Sequence, residues 1–212
     1  MNPSTPSARK IVVLISGRGS NMQSLVEAGL PVAAVLSNRA DAAGLAWAQA
    51  RGITTAVIEH RSYATREAFD EALGADIDRH APALVVLAGF MRIFTPQFVE
   101  RYSGRLINIH PALLPAFTGL HTHARALAAG VKFHGCTVHW VTPVLDEGPI
   151  VIQAAVPVLP DDDEHTLAAR VLRQEHRIYP RAVRWFLEGK LSLDRGVIRV
   201  AGNETQYVYA DE

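Results

Sequence analysis

The sequence predicts an α/β protein: a doubly wound, mostly parallel sheet with a Rossmann-like N-terminal half, an added strand pair and a long C-terminal helix. From Lys10 onward, short β-branched runs alternate with longer amphipathic stretches, the rhythm of a parallel sheet with helices packed on its faces. Leu84 to Ala88 is apolar throughout, as a strand covered on both faces must be. His165 to Glu188 follows an acidic entrance, is rich in Arg, and stops at Gly189, the charge order that a helix dipole favours.

The elements follow in order. Ile11 to Ser16 is an apolar run closed by Gly17-Arg18-Gly19-Ser20-Asn21, after which Met22, Leu25 and Val26 recur at helical spacing until Gly29: strand, tight loop, helix. Val32 to Leu36 reads as a second strand ended by Ser37-Asn38, Ala42 to Ala50 as a helix stopped before Gly52, and Thr54 to Ile58 as a third strand. Thr65 caps a helix whose Phe69, Leu73 and Ile77 form one buried stripe. The run from Leu84 empties into Gly89-Phe90-Met91-Arg92, Pro96 opens a short helix, and Leu106 to Ile109 is a central strand that breaks at His110-Pro111. Pro111 to Ala116 and Gly119 to His123 read as a mobile, loop-rich region before an Ala/Leu helix ending at Gly130. Thr137 to Val141 alternates with period two and Ile150 to Val156 is another strand, so the two are a hairpin or a pair added to the sheet. At the end, Val197 to Val200 and Gln206 to Tyr209 read as a weak β ribbon.

One domain is expected, over 10–193, with a disordered tail at 1–9 and a C-terminal extension at 194–212. The balance of 21 Lys+Arg against 21 Asp+Glu supplies no broad positive field, which argues against nucleic acid and acidic lipid as partners. No apolar run approaches the about 20 residues that cross a bilayer, and the N-terminus does not read as a secretory signal. The single cysteine, Cys136, excludes a disulfide within the chain and suits a reducing compartment, so the expectation is a cytoplasmic protein, monomer or homodimer, that binds small molecules.

Three segments carry chemistry. In Gly17 to Asn21, glycines let the backbone approach a ligand while free N–H groups face outward at a helix start, a place that favours phosphate; the competing reading is a tight turn with Ser20 or Asn21 as helix cap. The loop lacks the third glycine and downstream acidic residue of a dinucleotide site, and the Gly-Lys-Ser/Thr of a P-loop, leaving a small phosphorylated molecule. Asn108 and His110 point the same way from the carboxyl end of a central strand, where open α/β sheets place ligands, although a lone histidine there is as readily structural. Asp146, on a turn between two strands, either returns to the same rim or merely stabilises its turn. A carboxylate beside a histidine, with an amide donor, is a set that stabilises an oxyanion and moves protons. His121 and His123 with His110, His134 and His139 lack an ordered zinc spacing, and no Gly-x-Ser-x-Gly elbow is present, so neither metal chemistry nor a serine hydrolase is expected.

Taken together, Ile15 to Asn21, Ala88 to Ile93, Asn108 to Pro115, Gly119 to His123, Leu145 to Pro149 and Gln174 to Pro180 resemble the phosphoribosylglycinamide formyltransferases, in order and spacing, from Lys10 to Leu193. The resemblance implies a transferase of purine biosynthesis that passes a formyl group from 10-formyltetrahydrofolate to the amine of glycinamide ribonucleotide through a tetrahedral intermediate. By position it implies Asn108, His110 and Asp146 as catalytic residues, Gly19, Ser20 and Asn21 as the substrate phosphate loop, and Glu175 as a substrate contact. Arg66, Met91, Arg92, Ile93, Phe94 and Asn108 are implied as folate contacts, with no metal. Arg18 stands where the family pattern has a smaller polar residue, and Phe94 where it has an aliphatic one. Formyltetrahydrofolate hydrolases and methionyl-tRNA formyltransferases share the Asn, His, Asp plan, but the first carries an added N-terminal domain and the second an added RNA-binding domain, neither of which is expected here. A non-catalytic phosphate-ligand-binding module would keep the glycine loop without needing the other three residues.

Overall fold

The computed structural model describes residues 9–210. The first parallel strands are β1 (Ile11–Ile15), β2 (Val32–Ser37), β3 (Thr54–Val57) and β4 (Leu84–Leu87), with β5 (Leu106–His110) beside β4. Every residue of β1 and β4 is buried, which explains their unbroken apolar sequence: helices cover both faces. Ile11, Val13 and Ile15 face one core with α1 (Ser20–Glu27), α2 (Ala43–Gln49), α5 (Thr122–Ala128) and α6 (Glu164–Leu187). Val12 and Leu14 face the other, with α3 (Arg66–Arg79) and α4 (Pro96–Arg101). The helix starts match their sequence signals: Thr65 and Thr95 accept the N–H groups of Ala68 and Phe98, and Asp163 with Thr166 forms a capping box on α6.

Among the described residues the main sheet runs, from one edge, β10 (Tyr207–Tyr209), β7 (Ile150–Pro157), β6 (Phe133–Trp140), β5, β4, β1, β2, β3. The strand pair anticipated from the alternating pattern is β6 (Phe133–Trp140) and β7 (Ile150–Pro157), and it joins the sheet antiparallel to β5. Because β1 sits between β4 and β2, the chain reverses direction of winding there, and the crevice at the carboxyl ends of these strands is where such sheets take ligands.

The C-terminus differs from the expected ribbon. Val197–Val200 (β9) pairs with β8 (Leu191–Asp194), not with the last strand, and Tyr207–Tyr209 (β10) runs parallel to β7 at the sheet edge. The reason is the two-residue turn Arg195-Gly196, both at positive φ, which closes a tight hairpin between β8 and β9. Ile198 is buried in the α6-side core, so the hairpin packs on the sheet. Of the anticipated tail, residues 1–8 lie outside the described residues; Arg9 donates to the carbonyls of Phe186 and Leu187 at the end of α6. No described helix is long and apolar enough to cross a membrane.

One buried bond fixes α6 beneath the strand ends. The Tyr179 hydroxyl lies 2.8 Å from the carbonyl of Leu87, at the tip of β4, and 3.3 Å from that of Ile107, early in β5. Tyr179→Phe leaves buried carbonyls short of a donor, at a cost of about 1–3 kcal/mol. Urea unfolding should show that loss; an unchanged midpoint would mean that α6 is held by packing alone.

Candidate active site

The loop after β1 is built to leave backbone donors free. Gly19 stands at the N-cap of α1 with φ 71°, a conformation that costs glycine little, and no side chain caps the helix. The cap reading of Asn21 therefore gives way: its Nδ2 instead donates to Glu175 Oε2 at 2.6 Å, and its Oδ1 is buried without a partner. Glu175 comes from the middle of α6, so these two residues, far apart in the chain, meet beneath the loop. Burial pushes the Glu175 carboxyl above its ordinary value, and the Asn21 bond opposes the shift only in part. A cavity of about 590 Å³ opens over this loop, and its walls include Gly17 to Asn21, Asn38, His60, Met91 and Arg92.

Asn108 and His110 project together from β5, as alternation requires, and Asp146 does return to them. His110 Nδ1 lies 3.5 Å from Asp146 Oδ2, and both side chains are almost wholly buried. His110 Nε2 is 2.9 Å from the Phe117 carbonyl, which can only accept, so this nitrogen carries hydrogen. Asp146 Oδ2 also accepts the Gly119 N–H at 2.8 Å, tying the loop after β5 to the turn after β6. That turn has little freedom, because a Cβ at Gly148 would overlap the Trp140 carbonyl oxygen. Phe117, His121 and Asp146 all hold positive φ without being glycine, a concentration of backbone strain at one rim.

Sequence reasoning set His139 among the histidines of a doubtful metal site and missed its place here. It is the antiparallel partner of Asn108 across β5 and β6. Its Nδ1 lies 3.0 Å from the Trp140 carbonyl and so donates, which leaves Nε2 to accept from Asn108 Nδ2 at 3.3 Å. Burial lowers the His139 pKa, in keeping with a neutral ring, while the Trp140 carbonyl and Asp146, whose Oδ1 is 3.8 Å away, pull the other way. The neutral ring thereby fixes which way the Asn108 amide faces, with its second N–H left for another acceptor. Among the described residues no cluster of three or more His, Cys, Asp or Glu side chains is arranged to hold a metal.

A formyl transferase family model matches residues 9–183. The chain is 51% identical over 189 residues to the phosphoribosylglycinamide formyltransferase of Escherichia coli strain K12, covering 86% of this chain and 89% of that protein. The chain belongs to the phosphoribosylglycinamide formyltransferase family. The crystal structure of phosphoribosylglycinamide formyltransferase from Anaplasma phagocytophilum superposes with a TM-score of 0.91 at 40% identity, covering 97% of this chain and 100% of that one. That of the Coxiella burnetii protein, in complex with CHES, gives 0.89 at 45%, covering 96% and 99%.

Both departures from the phosphoribosylglycinamide formyltransferase pattern have a structural setting. Arg18, within the glycine loop, is exposed on the cavity wall. The Phe94 ring is buried, stacked between Phe90 at 5.3 Å and Phe98 at 4.1 Å, so it belongs to the α3/α4 core while Met91, Arg92 and Ile93 remain exposed. Arg66 lies exposed in the first turn of α3, one turn before the buried Asp70.

The buried carboxyl sets a pH dependence. Because the folded-state pKa of Glu175 is raised, its contribution to stability is fully present below about 4.5, the unfolded value, and is lost as pH rises through the folded value. Glu175→Gln should thus be more stable than the parent at pH 8, with the difference shrinking toward pH 4. Parallel urea titrations of the two proteins test this, and curves with the same pH dependence would contradict it.

Proposed function

We propose that the chain transfers the formyl group of 10-formyltetrahydrofolate to the amine of 5-phosphoribosylglycinamide, in purine biosynthesis and in the cytoplasm, with Asn108, His110 and Asp146 as its catalytic residues. The return of Asp146, remote in sequence, to the rim where β5 presents Asn108 and His110 is the observation that carries the reading. The glycine loop with its uncapped N–H groups is the place for the substrate phosphate, and Glu175 the contact for the rest of that molecule. The loop follows β1 and His110 ends β5, with β4 between. Two strand spacings put the tips about 10 Å apart, a span suited to a phosphoribosyl group carrying a short amine arm.

In the reaction the amine nitrogen bonds to the formyl carbon, and the carbonyl oxygen takes up negative charge. The free N–H of Asn108 and a hydrogen on the buried His110 side chain stabilise that oxygen. Asp146 holds the imidazole in place and compensates its positive charge. Breaking the bond to folate N10 restores the carbonyl, and the proton lost by the amine ends on N10. No enzyme nucleophile is needed, because the substrate brings its own, and Cys136, buried in β6, takes no part.

His110→Gln or Asp146→Asn should lower ribonucleotide-dependent formyl transfer by about 10²–10⁴-fold while the fold survives. Near-parental turnover in both variants would remove the pair from the mechanism. Folate release without the ribonucleotide would favour a hydrolase, and ligand binding without turnover a binding module.

A further inference from the structure

The segment Met91 to Phe94 between β4 and α4 has neither helix nor strand of its own, and Met91 and Ile93 are 68% and 58% exposed. Packing on Phe94 alone does not define such a stretch, yet its backbone is clamped at both ends. At the entrance, the Ser16 N–H donates to the Gly89 carbonyl at 3.2 Å and Ser16 Oγ accepts the Met91 N–H at 2.8 Å. The one hydrogen of that hydroxyl goes to Asn38 Oδ1 at 2.6 Å, and the Asn38 backbone carbonyl in turn accepts from His60 Nδ1 at 3.0 Å. The chain of bonds therefore crosses the carboxyl ends of β4, β1, β2 and β3. At the exit, Asp70 of α3 accepts the Thr95 N–H through Oδ2 at 2.7 Å. Asp70 is 3% exposed, and its other oxygen is buried without a partner. A buried carboxylate half-satisfied by one backbone N–H is costly to keep, and its one return is the paired N–H of buried Thr95, which fixes the end of the segment.

We propose that Ser16 and Asp70 are positioning residues that hold the Met91–Phe94 segment in the shape that receives the folate co-substrate. The inference rests on the formyl-transfer reading above. Neither side chain touches Asn108, His110 or Asp146 in the hydrogen-bond pattern, so the two act on binding rather than on the chemical step. Ser16 also borders the phosphate loop, whereas Asp70 lies on the far side of the segment, so Asp70 separates the effect on one substrate from the effect on the other.

Steady-state kinetics on the full chain, with each substrate varied in turn, test this. Asp70→Ala should raise KM for the folate about ten-fold, the scale of one lost charge-assisted bond, with kcat and the ribonucleotide KM within about two-fold of the parent. Asp70→Asn, which keeps an acceptor oxygen, should restore the folate KM. Ser16→Ala should raise the folate KM similarly, and Ser16→Thr should rescue it. Amide hydrogen exchange on the unmodified protein supplies a readout independent of any variant's folding: Met91 and Thr95 N–H groups should be protected although their segment is exposed. Unprotected amides, an unchanged folate KM in the Ala variants, or a loss confined to kcat would overturn the proposal while an active parent leaves the formyl-transfer reading intact. A parent with no ribonucleotide-dependent turnover would overturn that reading, and this inference with it.

Discussion

The Asp146 carboxylate joins three pieces of chain: a loop and two paired strands. One oxygen accepts the Gly119 N–H and faces His110, and the other faces His139, so the loop after β5, the tip of β5 and the body of β6 all meet at one side chain. A buried carboxylate is stable only with such company, because desolvation outweighs any single partner. The surrounding geometry follows from satisfying it: the turn that presents Asp146 takes a left-handed backbone at that residue, and Gly148 packs against the Trp140 carbonyl to keep the turn close. Folding and function compete at this point, since strain and buried charge are tolerated where they serve the site.

The rest of the sheet supplies rigidity. Continuous burial of β1 and β4 leaves their tips unable to drift, and Tyr179 ties α6 to the tip of β4 and the start of β5, so Glu175 one turn earlier is delivered beneath the glycine loop. The two halves of the candidate site therefore depend on different elements: the glycine-loop side on α1 and α6, the His110 and Asp146 side on the antiparallel pair β5 and β6. A family relationship spanning nearly the whole chain agrees with a fold in which both halves are needed.

The sequence carries the parallel core plainly, because a strand covered on both faces must be apolar throughout and a helix start needs a cap such as Thr65 or Asp163. Pairing across the sheet is a different matter. His139 meets Asn108 only through the antiparallel register of β5 with β6, and register is a property of two segments that neither reveals alone. The same limit explains the C-terminus, where the strand at Leu191–Asp194 has an exposed, weakly apolar pattern and is fixed by its turn. Asn21 reads as a cap from its position and becomes a partner of Glu175 only when α6 crosses beneath it. His110 and Asp146 were identifiable as candidates because strand ends and tight turns are where polar side chains have reason to gather, but only their residue types, not their proximity, are written locally.

The bond between His110 Nε2 and the Phe117 carbonyl carries a consequence for the proposed reaction. The imidazole hydrogen is engaged by the protein's own backbone, at a residue with a left-handed φ. A substrate oxygen must therefore outcompete an internal acceptor, and water arriving alone offers little advantage over the carbonyl it would replace. On the proposed mechanism, such self-quenching makes release of residue 117 part of what the correct pair of substrates must accomplish.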